Sequence, residues 1–80
     1  MVQIEMGLVM DAFLERMINE RNELNNKLIK LSEFITGDVC KNLDLRDRGD
    51  LADQHYFMTG YLNVLNRRIE TLTKKVNPNG

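Results

Sequence analysis

LVMDAFLERMINERNELNNKLIKLSEFI, residues Leu8 to Ile35, contains neither Gly nor Pro, and its apolar residues recur every three or four positions. Met10, Met17, Leu24 and Leu31 fall seven apart. Leu14, Leu28 and Ile35 each follow a member of that row by four, and Arg21 interrupts the series. Phe13 and Phe34 widen the stripe on its other side. A helical period held this long predicts one amphipathic helix over about 8–35, roughly 40 Å long at 1.5 Å per residue. The polar side carries Glu15, Glu20, Asn22, Glu23, Asn26 and Lys30, with Glu23 and Lys27 spaced as an i,i+4 pair.

Thr36-Gly37 closes this helix, Gly being suited to the left-handed residue beyond a helix end. Asp38 is expected to cap a short turn from which Val39 and Leu43 fold back onto the helix ends. Asp44 with Asp47 three residues later has the form of an N-cap with an acidic third position, so a second helix begins at about 44. A start at Asp50, with Gly49 still in the loop, is the alternative. Leu51, Gln54, Met58, Tyr61, Leu65, Ile69, Leu72 and Val76 then run at helical spacing, and Lys74 and Lys75 suit the negative end of the helix dipole. Gly60 in mid-helix costs about 1 kcal/mol relative to Ala, which a close backbone approach at a hairpin crossing or subunit contact would explain. Asn77-Pro78-Asn79-Gly80 reads as a frayed tail. Val2 to Met6 alternates apolar and polar, and either a short edge strand or a further helical turn fits it.

The expected fold is therefore all-α: an antiparallel hairpin of two helices, 8–35 and 44–75, joined by a loop at 36–43, in one domain spanning 1–80. The single Pro at position 78 leaves every earlier segment free to be helical. Antiparallel packing brings Arg67, Arg68, Lys74 and Lys75 near Asp11 and Glu15. A chain of 80 residues folded as two layers cannot enclose a core. Phe13, Phe34, Tyr56, Phe57 and Leu62 lie beside the main rows and leave apolar area over, so self-association into a helical-bundle homo-oligomer is expected.

Composition narrows the function. A net charge of −1 removes the bulk electrostatic case for nucleic-acid or membrane binding. The single cysteine, Cys40, forms no internal disulfide, which points to a reducing, cytoplasmic setting. The N-terminus has neither the basic start of a signal peptide nor a long apolar run. No nucleophile elbow, phosphate loop or HExxH occurs, one His stands without a second, and no enzyme, metal or cofactor is expected.

Several residues carry two readings. Gln54 and Tyr61 interrupt an apolar row, either as a register-fixing polar pair in the core or as groups offered to a base or ribose. Arg21, set near Gly60 in a hairpin, either snorkels to pair with a Glu or holds a phosphate or carboxylate. Arg67-Arg68 with Lys74-Lys75 either grip phosphates or pair with Asp11 and Glu15. Asp50 and Asp53 read as a helix start, and Tyr56-Phe57 beside His55 as interface packing or a stacking surface. Cys40 sits in the loop with only Lys41 as a basic neighbour.

Arg16, Glu20, Leu24, Lys27, Lys30-Leu31, Phe34-Ile35, then Leu51, Gln54, Met58, Tyr61, Leu65 and Arg68-Ile69 together resemble a family of small phage and prophage proteins, first grouped around a gene product of a crAss-like phage. The resemblance runs from Phe13 to Ile69; Gly49, Gly60 and the apolar stretch before Met10 depart from it. It implies a phage or prophage origin, and so the cytoplasm of an infected bacterial host. In size, charge and helical content the chain is also similar to the phage sponges that capture the cyclic-nucleotide or ADP-ribose signals of bacterial defence. On that similarity the expected function is sequestration of a small anionic signalling molecule. Arg21, Lys27 and Arg68 would face phosphate, and Gln54 and Tyr61 the base. The alternative is a helical clamp on a host or phage protein.

Overall fold

The computed structural model describes the backbone of residues 2–76 and the side chains of residues 10–76. The expected tail at 77–80 lies outside them. Three helices follow in order: α1 (Val2–Ile35), α2 (Asp38–Lys41) and α3 (Leu45–Val76). α1 and α3 pack against each other as an antiparallel hairpin measuring 60 × 19 × 14 Å. Among the described residues there is no strand, and residues 2–7 continue α1. The connection expected to be a plain loop contains the single helical turn α2.

The core is one residue deep. Met17 and Leu24 on α1 meet Leu65 and Ile69 on α3, and Leu65 alone among them is fully enclosed. Met10, Leu14, Leu28, Leu31 and Ile35 on α1, with Leu51, Met58, Leu72 and Val76 on α3, are half-buried along the same seam. Two helices present only one line of mutual contact, so the flanking members of each stripe stay partly wet. Gln54 and Tyr61 are exposed rather than a polar core pair, because that line passes through Leu65 and Ile69 and leaves both at its edge.

Polar bonds fix the register. The Arg21 guanidinium donates to Asn66 Oδ1 at 3.0 Å, and Ser32 Oγ is 2.8 Å from His55 Nε2 in a shared hydrogen bond. The two pairs lie eleven residues apart on both helices, so about three turns pass without slippage. Arg21 thus pairs with an amide rather than a Glu. Gly60 has no atom within 4 Å of where a Cβ would stand, so neither Arg21 nor a crossing backbone accounts for it within the hairpin.

At the tip, Gly37 has φ −87° and ψ 172°, extended and not left-handed. Its value lies in its missing side chain: a Cβ would stand 3.3 Å from the Glu33 carbonyl and 3.4 Å from that of Phe34. The end of α1 is closed instead by the Gly37 N–H on the Phe34 carbonyl and by Thr36, whose N–H and hydroxyl both donate to the Ser32 carbonyl. Gly37, not Asp38, is the N-cap of α2; the Asp38 carboxylate pairs with Lys41 at 3.6 Å. Val39 points outward at 64% exposure, and Cys40 is the residue that folds back, buried at 3%. α3 begins as its sequence signals, with the Asp47 N–H donating to Asp44 Oδ1 at 2.8 Å.

Candidate functional site

Helical spacing distributes the exposed apolar residues unevenly. Phe13, Glu20, Lys27 and Phe34 lie seven apart and form one line along α1; Gln54, Tyr61, Arg68 and Lys75 do the same on α3. The Tyr61 hydroxyl donates to Glu20 Oε1 across the seam, which places both lines on one face of the hairpin. Phe57 and Val64 sit beside the α3 line, one turn before Tyr61 and just short of one turn after it. This face therefore gathers Phe13, Phe34, Phe57, Tyr61 and Val64, all exposed at 39% or more. Consecutive residues of a helix point about 100° apart. Glu20 and Arg21 each bond across to α3, so they straddle the seam, and the Arg21–Asn66 and Ser32–His55 bonds line the opposite face.

In the half of this face away from the tip, a groove of about 380 Å³ opens between the helices. Phe13, Met17, Val64 and Leu72 make its apolar floor, and Arg67, Arg68, Thr71 and Lys75 its polar wall. A smaller recess of about 170 Å³ adjoins it, bounded by Phe13, Arg16, Met17, Glu20 and Arg68. The volume lies within the roughly 300–1,000 Å³ of small-molecule sites. Arg16, Arg67, Arg68 and Lys75 border this space, and among the described residues none has a carboxylate within ion-pair distance. The expected pairing with Asp11 and Glu15 does not form. Among the described residues, Lys74 is the one C-terminal cation that is paired, with Glu70 on its own helix at 3.3 Å. Glu23 and Lys27 do not pair either, so the intrahelical pair suggested by their spacing is absent.

Of the five residues expected to touch a ligand, Arg68 lines the groove, and Tyr61 lines neither it nor the recess but bonds to Glu20, which lines the recess. Lys27 and Gln54 lie on the same face nearer the tip, where Gln54 donates to Met58 Sδ at 3.8 Å. Arg21 is on the other face. Phe13, Arg16 and Glu20 belong to the site without having been singled out for it, whereas Lys75 and Arg67 carried the phosphate-gripping reading of the C-terminal cations. The seven-residue spacing from Phe13 to Glu20 and from Arg68 to Lys75 carried that signal, once the register was known.

Tyr56 and Phe57 stack edge to face with centroids 5.6 Å apart, both largely exposed. Among the described residues no cluster of His, Cys, Asp and Glu is placed to hold a metal ion, and no helix is long and apolar enough to cross a membrane. No curated protein and no solved structure matches the chain. Residues 11–71, which take in most of both long helices and every residue of the groove except Leu72 and Lys75, match the family model described as Sequestin, and the chain belongs to the Sequestin family.

Proposed function

We propose that this chain is a phage-encoded anti-defence protein that captures a small anionic signalling molecule, a cyclic nucleotide or an ADP-ribose derivative, without acting on it chemically. One observation carries the proposal: four cations surround an apolar-floored groove of nucleotide size without carboxylate partners among the described residues. Cations already paired would have to break those pairs before gripping phosphate, whereas these are available for charge-assisted bonds. Phe13 offers a ring to a base, and Arg68 and Lys75 offer charge to the phosphates. The family name, Sequestin, suggests sequestering and agrees with a binder.

The groove is open along one side, and a second copy would close it. Phe34 and Phe57, exposed at 40% and 70% on the tip half of the same face, supply the apolar seam of a homo-oligomer. A sponge of this kind acts in the cytoplasm of the infected bacterial host, where such signals are made. Lys27, Gln54, Tyr61 and Arg68 share the ligand face; Arg21, bonded to Asn66 on the other side, is left to hold the register.

Isothermal titration with cyclic nucleotides and ADP-ribose tests this. Arg68→Ala should weaken capture by about tenfold or more, the loss of one charged hydrogen-bonding group, and Arg21→Ala should leave it within about twofold. Equal losses in both variants would remove the groove from consideration. The same strip of Phe34 and Phe57 favours the second reading, a helical clamp on a host or phage protein. That reading gains if no nucleotide binds while the apolar face still engages a protein partner.

A further inference from the structure

Among the described residues, Glu20 is the one carboxylate bordering the cationic groove and its adjoining recess. A carboxylate among cations is ordinarily explained by ion pairing. Yet Glu20 has no cation within ion-pair distance among the described residues. Instead its Oε1 accepts the Tyr61 hydroxyl, a bond between side chains of two helices that fixes where the carboxylate stands. Glu20 lines the recess with Phe13, Arg16 and Arg68, and its second oxygen, Oε2, has no hydrogen-bond partner among the described residues. An ionised carboxylate repels phosphate and only accepts hydrogen bonds, so any ligand group seated on it must be a donor. Two donors side by side suit it best, as the guanidinium fork shows. Arg67 and Lys75 line only the larger groove and Glu20 only the recess, with Arg68 shared by both, so the site runs from a wholly cationic end to one that also holds a carboxylate.

We infer that Glu20 is a ligand-binding residue that accepts two adjacent hydrogen-bond donors, so that the groove selects a molecule anionic at one end and donor-bearing at the other. The donor pair is either the Watson–Crick edge of guanine or the cis-diol of a ribose. This rests on the nucleotide reading and adds the class of nucleotide and the direction in which it lies. Phosphates sit toward Arg67 and Lys75, the paired donors sit at Glu20, and Arg68 lies between them.

The test is titration calorimetry of the full chain and its Glu20→Gln variant with three probes at one ionic strength. Cyclic 3′,5′-GMP carries the guanine edge without a cis-diol, ADP-ribose carries cis-diols without guanine, and cyclic 3′,5′-AMP carries neither. Glu20 is exposed, so the variant should fold, which circular dichroism checks. Charge alone predicts that removing a carboxylate from a cationic groove tightens every anion. The inference predicts instead a loss of about tenfold or more for one donor-bearing probe, with cyclic 3′,5′-AMP unchanged or tighter. A loss confined to cyclic 3′,5′-GMP assigns the guanine edge, and one confined to ADP-ribose assigns the diol. If the parent chain binds any probe and Glu20→Gln weakens none, the inference is overturned and sequestration stands. If the parent chain binds none of the three, sequestration of these ligands falls and takes the inference with it.

Discussion

Leu65 is fully enclosed while its neighbours in sequence, Val64 and Asn66, both face solvent, so the hairpin's stability is concentrated in very few side chains. Truncating Leu65 to Ala should cost about 2–5 kcal/mol, the range for removing a buried leucine side chain, read as a lowered urea midpoint. Gly49 is the converse case. It lies in the first turns of α3 with nothing within 4 Å of where a Cβ would stand, so Gly49→Ala should raise stability by about 0.5–1 kcal/mol and lift the thermal midpoint. Which single residues are buried was only partly legible in the sequence. Met17, Leu24, Leu65 and Ile69 stand in the rows that spacing picks out. Gln54 and Tyr61 stand in the same row yet lie exposed, because the contact line passes through Leu65 and Ile69 and leaves both at its edge. Cys40 could not have been placed from sequence, since its burial follows from how Gly37 turns the chain into α2.

Each long helix is closed by a different device, and only one was readable beforehand. At the start of α3 the Asp44 side chain takes the Asp47 N–H, a bond signalled by two acidic residues three apart. Asp44→Ala should therefore cost about 0.5–2 kcal/mol, measurable as a drop in thermal midpoint, while Asp38→Ala, which caps nothing, should cost little. The end of α1 was legible as a stop at Thr36-Gly37 but not in its mechanism. Gly37 serves because a Cβ would crowd two α1 carbonyls, not because the backbone turns left-handed. The ion pairs expected between the start of α1 and the end of α3 were argued from proximity alone. Their absence is what leaves Arg67, Arg68 and Lys75 around the groove.

As a whole the molecule is a flat slat, 14 Å through its thin dimension, with Phe13, Phe34, Phe57, Tyr61 and Val64 on one broad face and Ile29, Val39, Leu45 and Tyr56 exposed apart from them. The hairpin and its antiparallel sense were legible from the two periodic stretches. The face was not, because it depends on the register that Arg21–Asn66, Ser32–His55 and Tyr61–Glu20 set across the seam. Phe57, 70% exposed, would be the centre of self-association on that face. Phe57→Asp should convert the proposed homo-oligomer to a folded monomer, seen as a reduced mass by light scattering with helix content kept. Capture by the groove should also weaken with added salt, since its cations are solvent-facing and screened over about 8 Å at physiological ionic strength.

Native mass spectrometry of the chain, alone and after mixing with cyclic nucleotides and ADP-ribose derivatives, tests the sequestration claim most directly. The account predicts a discrete oligomer that gains one ligand mass for each groove and loses that gain on Arg68→Ala. A discrete oligomer that stays unliganded across the panel, or that keeps its ligand when Arg68 is removed, would contradict it.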